Sequence, residues 1–316
     1  MKTFKTHVEQ LELLKRKHLC ICDENFALQI LQRENYFNLI NGYRHLFLDD
    51  AETKTFNSNA TFEEVYHLYL FDRKLRNLLL EHLLAFETAL KSKISYHFSN
   101  VHPHPNDYLD IANYSTQPSL SETVSNLIAS THTVIQKESV KSNATRHYLN
   151  HYQSVPLWVL IKSFNFGHTR LFFSCLTPQL RTSIAKTMSN EFNSDYQTTH
   201  IIRPESIDAI IKTINFYRNV CAHEERLFCF KITHPSKSNQ IAKMLQIDNQ
   251  LLVKGNLFTL ITFLKLVLPK SNYLELLENL DQLFQTIETT IKSIEFEVVL
   301  MSMGFSNNWK SILMQV

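Results

Sequence analysis

TFEEVYHLYLFDRKLRNLLLEHLLAFETALKSKISYHF, residues 61–98, runs without a glycine or a proline. Apolar residues fall at Leu68, Phe71, Leu75, Leu78, Leu79, Leu83, Phe86, Leu90, Ile94 and Phe98. Steps of three and four are the period of a helix with one face turned to a core. Thr61 and Glu64 stand at capping-box spacing, where each side chain takes the other's backbone amide. The pattern predicts one long helix from Thr61, central to the molecule. The remaining composition agrees. There are 4 glycines (Gly42, Gly167, Gly255, Gly304) and 8 prolines in 316 residues. A sandwich, a barrel or a Rossmann sheet needs more breakers. The expected fold class is all-α. Glycines so far apart cannot form GxGxxG or a P-loop, which excludes nucleotide-driven motors, kinases and nicotinamide dehydrogenases of the usual kinds.

Working outward, residues 1–60 read as an N-terminal helical segment and residues 61–316 as the helical body, with one compact unit as the alternative. Asp23 is placed to cap a helix through Phe26 and Ile30. Residues 36–43 read as an aromatic helix ending at Gly42, and residues 49–61 as a polar loop. Pro103, Pro105 and Pro118 mark a loop over 101–118. Helices are expected at 121–133, 144–152 and from Pro156, with an interruption at Gly167. Pro204 opens another, with Ile207, Ile210, Ile214, Tyr217 and Cys221 in its stripe. Leu257–Leu268 and Leu274–Ile294 complete the set. A strand pair at 228–232 and 251–253 is compatible with the pattern.

Lys and Arg number 32 against 30 Asp and Glu, a net charge of +2. That excludes a basic nucleic-acid coat and leaves room for a local basic site. Five cysteines, Cys20, Cys22, Cys175, Cys221 and Cys229, fit no disulfide framework, so a reducing cytoplasm is the expected compartment. One CxC pair does not make a zinc site. No apolar leader follows Met1, and the run Leu257–Leu268, interrupted by Lys265, is too short to span a bilayer. No membrane contact, metal or cofactor is expected.

Arg218-Asn219-Val220-Cys221-Ala222-His223 is the segment richest in chemistry. Arg218 falls about 40° from Ile214, at the edge of the apolar stripe, where a guanidinium is costly unless paired or held for use. His223 lies about 140° around a straight helix from Arg218. The two converge only if the helix ends near Ala222 or if two subunits bring their motifs face to face. Arg76 and His82 repeat the spacing in mid-helix, about 120° apart, and do not converge there. Asp72 and Glu87 read as ion-pair partners. His147 and His151 stand at i, i+4 without a third ligand. Tyr36, Phe37, Tyr43 and Phe47 can stack on bases or fill a core, and helical spacing favours the core.

RNVCAH matches the Rx4–6H signature of HEPN ribonucleases, and its surroundings extend the likeness. RNVCAHEERLF resembles the RNxCAHHxRLW block of the Abi-like family of bacterial abortive-infection proteins (AbiD/AbiF). YFNLINGYRHLF (36–47), the helix at 68–98, VPLWVLIKSFNFGHTRLFF (155–173) and MGFSNNWKSIL (303–313) resemble its other blocks, in family order. Glu224 stands where the family has a second histidine, and Phe228 where it has tryptophan. The resemblance implies an HEPN-type helical bundle with an additional N-terminal lobe. It also implies a metal-independent endoribonuclease toxin in phage defence. Ribose 2′-OH attack would leave a cyclic phosphate, with His223 as general acid or base, Arg218 on the phosphate oxygens and Asn219 positioning. DNA lacks the 2′-OH and is excluded as substrate. Restraint by a cognate RNA or protein antitoxin and pairing as a homodimer follow from the same likeness. Candidate RNA contacts are Arg73, Arg76, Lys91, Lys93, Arg170, Arg226, Lys231 and Lys237. Arg73 and Arg76 are equally readable as structural. The rival readings are a non-catalytic module that binds structured RNA on the same scaffold, and a protein-interaction scaffold.

Overall fold

A computed structural model of the chain describes residues 3–141 and 143–315, and about 70% of it is helical. The all-α expectation therefore holds. Helices α1 (His7–Arg16) and α2 (Glu24–Arg33) pack on one another. Thr6 and Asp23 cap them by accepting the amides of Glu9 and Phe26, two of the orphan donors a helix start leaves. The aromatic segment that follows is a wide π-helical turn, Phe37–Asn41. Gly42 does not end it: its φ is −68°, and the chain continues into a 3₁₀ turn at Arg44–Phe47. The polar stretch expected as loop contains a short antiparallel hairpin, β1 (Leu48–Asp50) and β2 (Thr55–Phe56).

The long helix is α3 (Phe62–Val101), 40 residues and about 60 Å. Its capping box forms: Glu64 N donates to Thr61 Oγ1 at 3.1 Å, and Thr61 N to Glu64 Oε2 at 3.2 Å. The other oxygen of that carboxylate accepts the amides of Lys292 and Ser293, so the cap also anchors a segment more than 200 residues away. Leu68, Leu75, Leu79, Leu83, Leu90 and Ile94 are fully buried.

After α3 come α4 (Ser121–Ser139), α5 (Ala144–Tyr152), α6 (Leu157–Leu160), α7 (Phe166–Cys175), α8 (Pro178–Tyr196) and α9 (Pro204–Ala222). Then follow α10 (Asn239–Leu245), α11 (Asn249–Leu252), α12 (Leu257–Leu264), α13 (Lys270–Thr290), α14 (Phe296–Met303) and α15 (Trp309–Met314). Helix α3 is the hub, packed against α6, α7, α8, α9 and α13. The break near Gly167 comes earlier than expected. Asn165 caps α7 by accepting the amide of His168, and Gly167 sits inside the first turn. The strand pair does not form: residues 228–232 are turn and coil, and 249–252 are α11. One ladder-like bond remains, Ile232 N to Gly255 O.

Lys265 interrupts the apolar run for a structural reason. Its ammonium is buried, donates to the carbonyls of Leu313 and Gln315, and lies over the rings of Tyr196 and Tyr273. Burial pulls its pKa down to about 8. Gly304 has φ +92°, and a Cβ there would strike the Asn256 side chain that caps α12. Among the described residues no helix is long and apolar enough to cross a membrane.

Candidate functional site

Asp72 builds the site although it does not face solvent. It sits on α3, wholly buried. Its carboxylate accepts the Tyr43 hydroxyl at 2.6 Å, Arg76 Nη1 at 2.7 Å, and the amides of Leu227 at 3.0 Å and Phe228 at 2.8 Å. Burial raises its pKa above the usual carboxylate range, and these donors pull it back. Arg76 also donates to the Glu225 carbonyl at 3.3 Å. One carboxylate thus holds the N-terminal segment and the chain beyond α9 against the central helix. The Phe228 ring stacks on Tyr43 at 5.6 Å and closes the knot.

Helix α9 ends at Ala222. His223 is its C-cap, Glu224 turns left-handed at φ +55°, and Glu225 N returns to Val220 O at 3.0 Å. The end falls where convergence of Arg218 and His223 required it. His223 is exposed and lines a cleft of about 510 Å³ with Phe37, Asn41, Tyr69, Arg76 and Arg226. Asn219 is exposed, and its carbonyl accepts the His223 amide. Arg218 does not line this cleft. Its Nε lies 3.6 Å from Glu87 Oε2 on α3, within ion-pair range but without a hydrogen bond. Glu87 is also held by Lys91 at 2.7 Å. Glu87 is 11 residues along α3 from Arg76, about 16 Å. Within one chain the two motif side chains therefore serve different neighbourhoods.

The other candidates divide in the same way. Arg73 binds Glu34 at 3.1 Å and rests on the Tyr69 ring. Arg76 is 4% exposed and its guanidinium is taken up by Asp72, Tyr43 and Glu225, which makes it structural rather than RNA-facing. Lys91 is turned inward to Glu87 and the Phe164 carbonyl, and Lys93 pairs with Glu191. Arg226 is exposed at the cleft and donates to the Gly42 carbonyl. Lys231 is exposed in the coil beyond. Arg170 and Lys237 border a second cleft, of about 650 Å³, beside the start of α9. His82 is buried, and desolvation lowers its pKa. The His147 and His151 rings are 4.4 Å apart on α5. No group of three or more His, Cys, Asp or Glu is arranged to hold a metal among the described residues.

Phe37 is the residue that the pattern misplaced. Tyr43 and Phe47 are core, 3% and 0% exposed, whereas Phe37 is 70% exposed at the mouth of the His223 cleft.

The family model of the Abi-like proteins matches residues 29–229, well over half of the chain. No curated protein and no solved structure matches it. The matched span begins inside α2 and ends at Cys229, one residue past the second amide that Asp72 holds. Both walls of the His223 cleft lie within it, and the chain belongs to the Abi-like protein family.

Proposed function

We propose that the protein is an HEPN-type endoribonuclease acting in abortive infection, a toxin that cuts RNA without a metal. The observation that carries this reading is an exposed imidazole at the end of α9, in a polar cleft beside Arg226. An imidazole titrates near neutrality and can take the ribose 2′-OH proton, then return one to the leaving 5′-oxygen. The bond formed is 2′-O–P and the bond broken is P–O5′, so the ends are a 2′,3′-cyclic phosphate and a 5′-OH. A guanidinium on the non-bridging oxygens offsets the charge that builds in the transition state. Arg226 lines the same cleft as His223 and supplies such a group within one chain. Arg218 reaches such a site only across a pair of subunits, which motivates the homodimer. Restraint by a cognate RNA belongs to the same reading.

The engagement of Arg218 by Glu87 supports a second reading, a non-catalytic module that binds structured RNA. One experiment separates the two. Purified wild type and His223→Ala are incubated with labelled RNA in EDTA, and the ends are analysed. Wild type should release cyclic-phosphate ends, and His223→Ala should be slower by about 10²–10⁴-fold. Equal cleavage rates would remove His223 from the chemistry, and binding without cleavage in both would leave the binding module as the function.

A further inference from the structure

The turn that carries Phe37 is anchored from beneath and exposes that ring. Leu39 and Ile40 beneath it are fully buried, and the Phe37 amide donates to Asn35 Oδ1 at 2.8 Å. The wide winding brings Phe37, Asn38 and Asn41 to the same cleft. Neither carboxamide is bonded to another side chain or to backbone among the described residues, so both can pair with a ligand. The charge of the cleft suits a base better than a run of phosphates. Arg76 is neutralised by Asp72, and Glu224 and Glu225 line the cleft along with Arg226. What the cleft offers is a flat apolar ring, two free amides and one guanidinium, in a volume that accommodates a nucleotide.

We propose that the Phe37–Asn41 turn is a base-binding subsite beside His223, in which one unpaired RNA base stacks on Phe37 with its edge toward Asn38 and Asn41. The proposal rests on the RNA-cleavage reading above and sharpens its substrate to unpaired RNA. A duplex keeps its bases stacked on each other and offers none to Phe37. Aromatic stacking tolerates any base, and amides are both donors and acceptors, so any preference comes from the edge.

The test is fluorescence anisotropy with a labelled single-stranded RNA and the same RNA annealed to its complement. Each is titrated into the non-cleaving His223→Ala protein, and into that protein with Phe37→Ala or Phe37→Trp added. Phe37→Ala should weaken single-strand binding by about tenfold. Phe37→Trp should keep it, and duplex binding should be the same in all three proteins. Light scattering and thermal melts accompany the titrations. Unchanged single-strand affinity in Phe37→Ala, an equal loss on duplex, or a change in subunit number would overturn the subsite. If that happens while wild type still cleaves, the nuclease reading stands alone. If wild type neither binds nor cuts RNA, the nuclease reading has failed and the subsite with it.

Discussion

At its C-terminal end α9 borders a cleft of about 510 Å³, and at its N-terminal end one of about 650 Å³. The larger holds more positive charge: Arg170, Arg181, Lys212 and Lys237. Its acids answer that charge. Asp208 binds Arg181 directly, and Glu205 stands on the same wall. Among the described residues that line it there is no aromatic ring and no imidazole. The smaller cleft holds less charge, yet it has His223, an exposed Phe37 and an exposed Arg226. A count of basic residues alone would choose the end without an imidazole. What separates the ends is how their backbones are held. The wall after Ala222 hangs on a buried carboxylate, whereas Asp208 at the other end shares a partly exposed pair.

The sharpest way to break this comparison is Asp72→Ala. It leaves the buried Arg76 charge without its counter-ion and strands the amides of Leu227 and Phe228. The loss should be about 3–5 kcal/mol in a urea titration. A cost below about 1 kcal/mol would show that the knot is decorative. A middle-sized effect is expected from acid. His168, on α7, stacks on Phe164 at 4.0 Å and shares a bond with Thr131. Burial, helped by Lys91, lowers its pKa to about 4 from 6.5. The fold favours the neutral ring, so its contribution is full above pH 6.5 and is lost as pH falls from 6.5 toward 4. After discount for partial exposure this is on the order of 1–2 kcal/mol. The melting temperature of wild type should drop between about pH 7 and pH 4.5 by more than that of His168→Asn. Parallel drops would remove His168 from the account. The smallest effect belongs to Asp208→Ala, which should cost less than about 1 kcal/mol because Arg181 turns to solvent. If it cost as much as Asp72→Ala, the contrast between the two ends would collapse.

Much of the frame was legible in the residues. Thr61, Glu64 and the absence of breakers define α3, and Pro204 opens α9 where expected. Those signals are local, and helices are made of local bonds. Asp72 was readable as an ion-pair partner of its own helix, but not as the acceptor for Leu227 and Phe228, which lie 155 and 156 residues away. The second of these bonds bears on the failed strand: the apolar run from Phe228 gives its first amide to a carboxylate instead of a ladder. The hairpin at 48–56 was hidden by polar residues such as Asp49 and Asp50. Phe37 was misread because a π turn shifts register by a residue, and no simple period reports it. Arg218 and His223 were found as a motif, and their separate neighbourhoods depend on what α3 places beside each.

The reach of Asp72 also sets a timetable. The backbone bonds of helix α3 are its own and can close in about a microsecond once its residues are made. The cleft beside His223 cannot, because its wall waits for Leu227 and Phe228. At about 5–20 residues per second of synthesis, the 156 residues from Asp72 to Phe228 take about 8–30 s. For that interval the ribosome holds a chain in which Asp72 has only Tyr43 and Arg76 as partners, and there is no cleft. The site comes into being late, and no chain that stops short of Phe228 carries it.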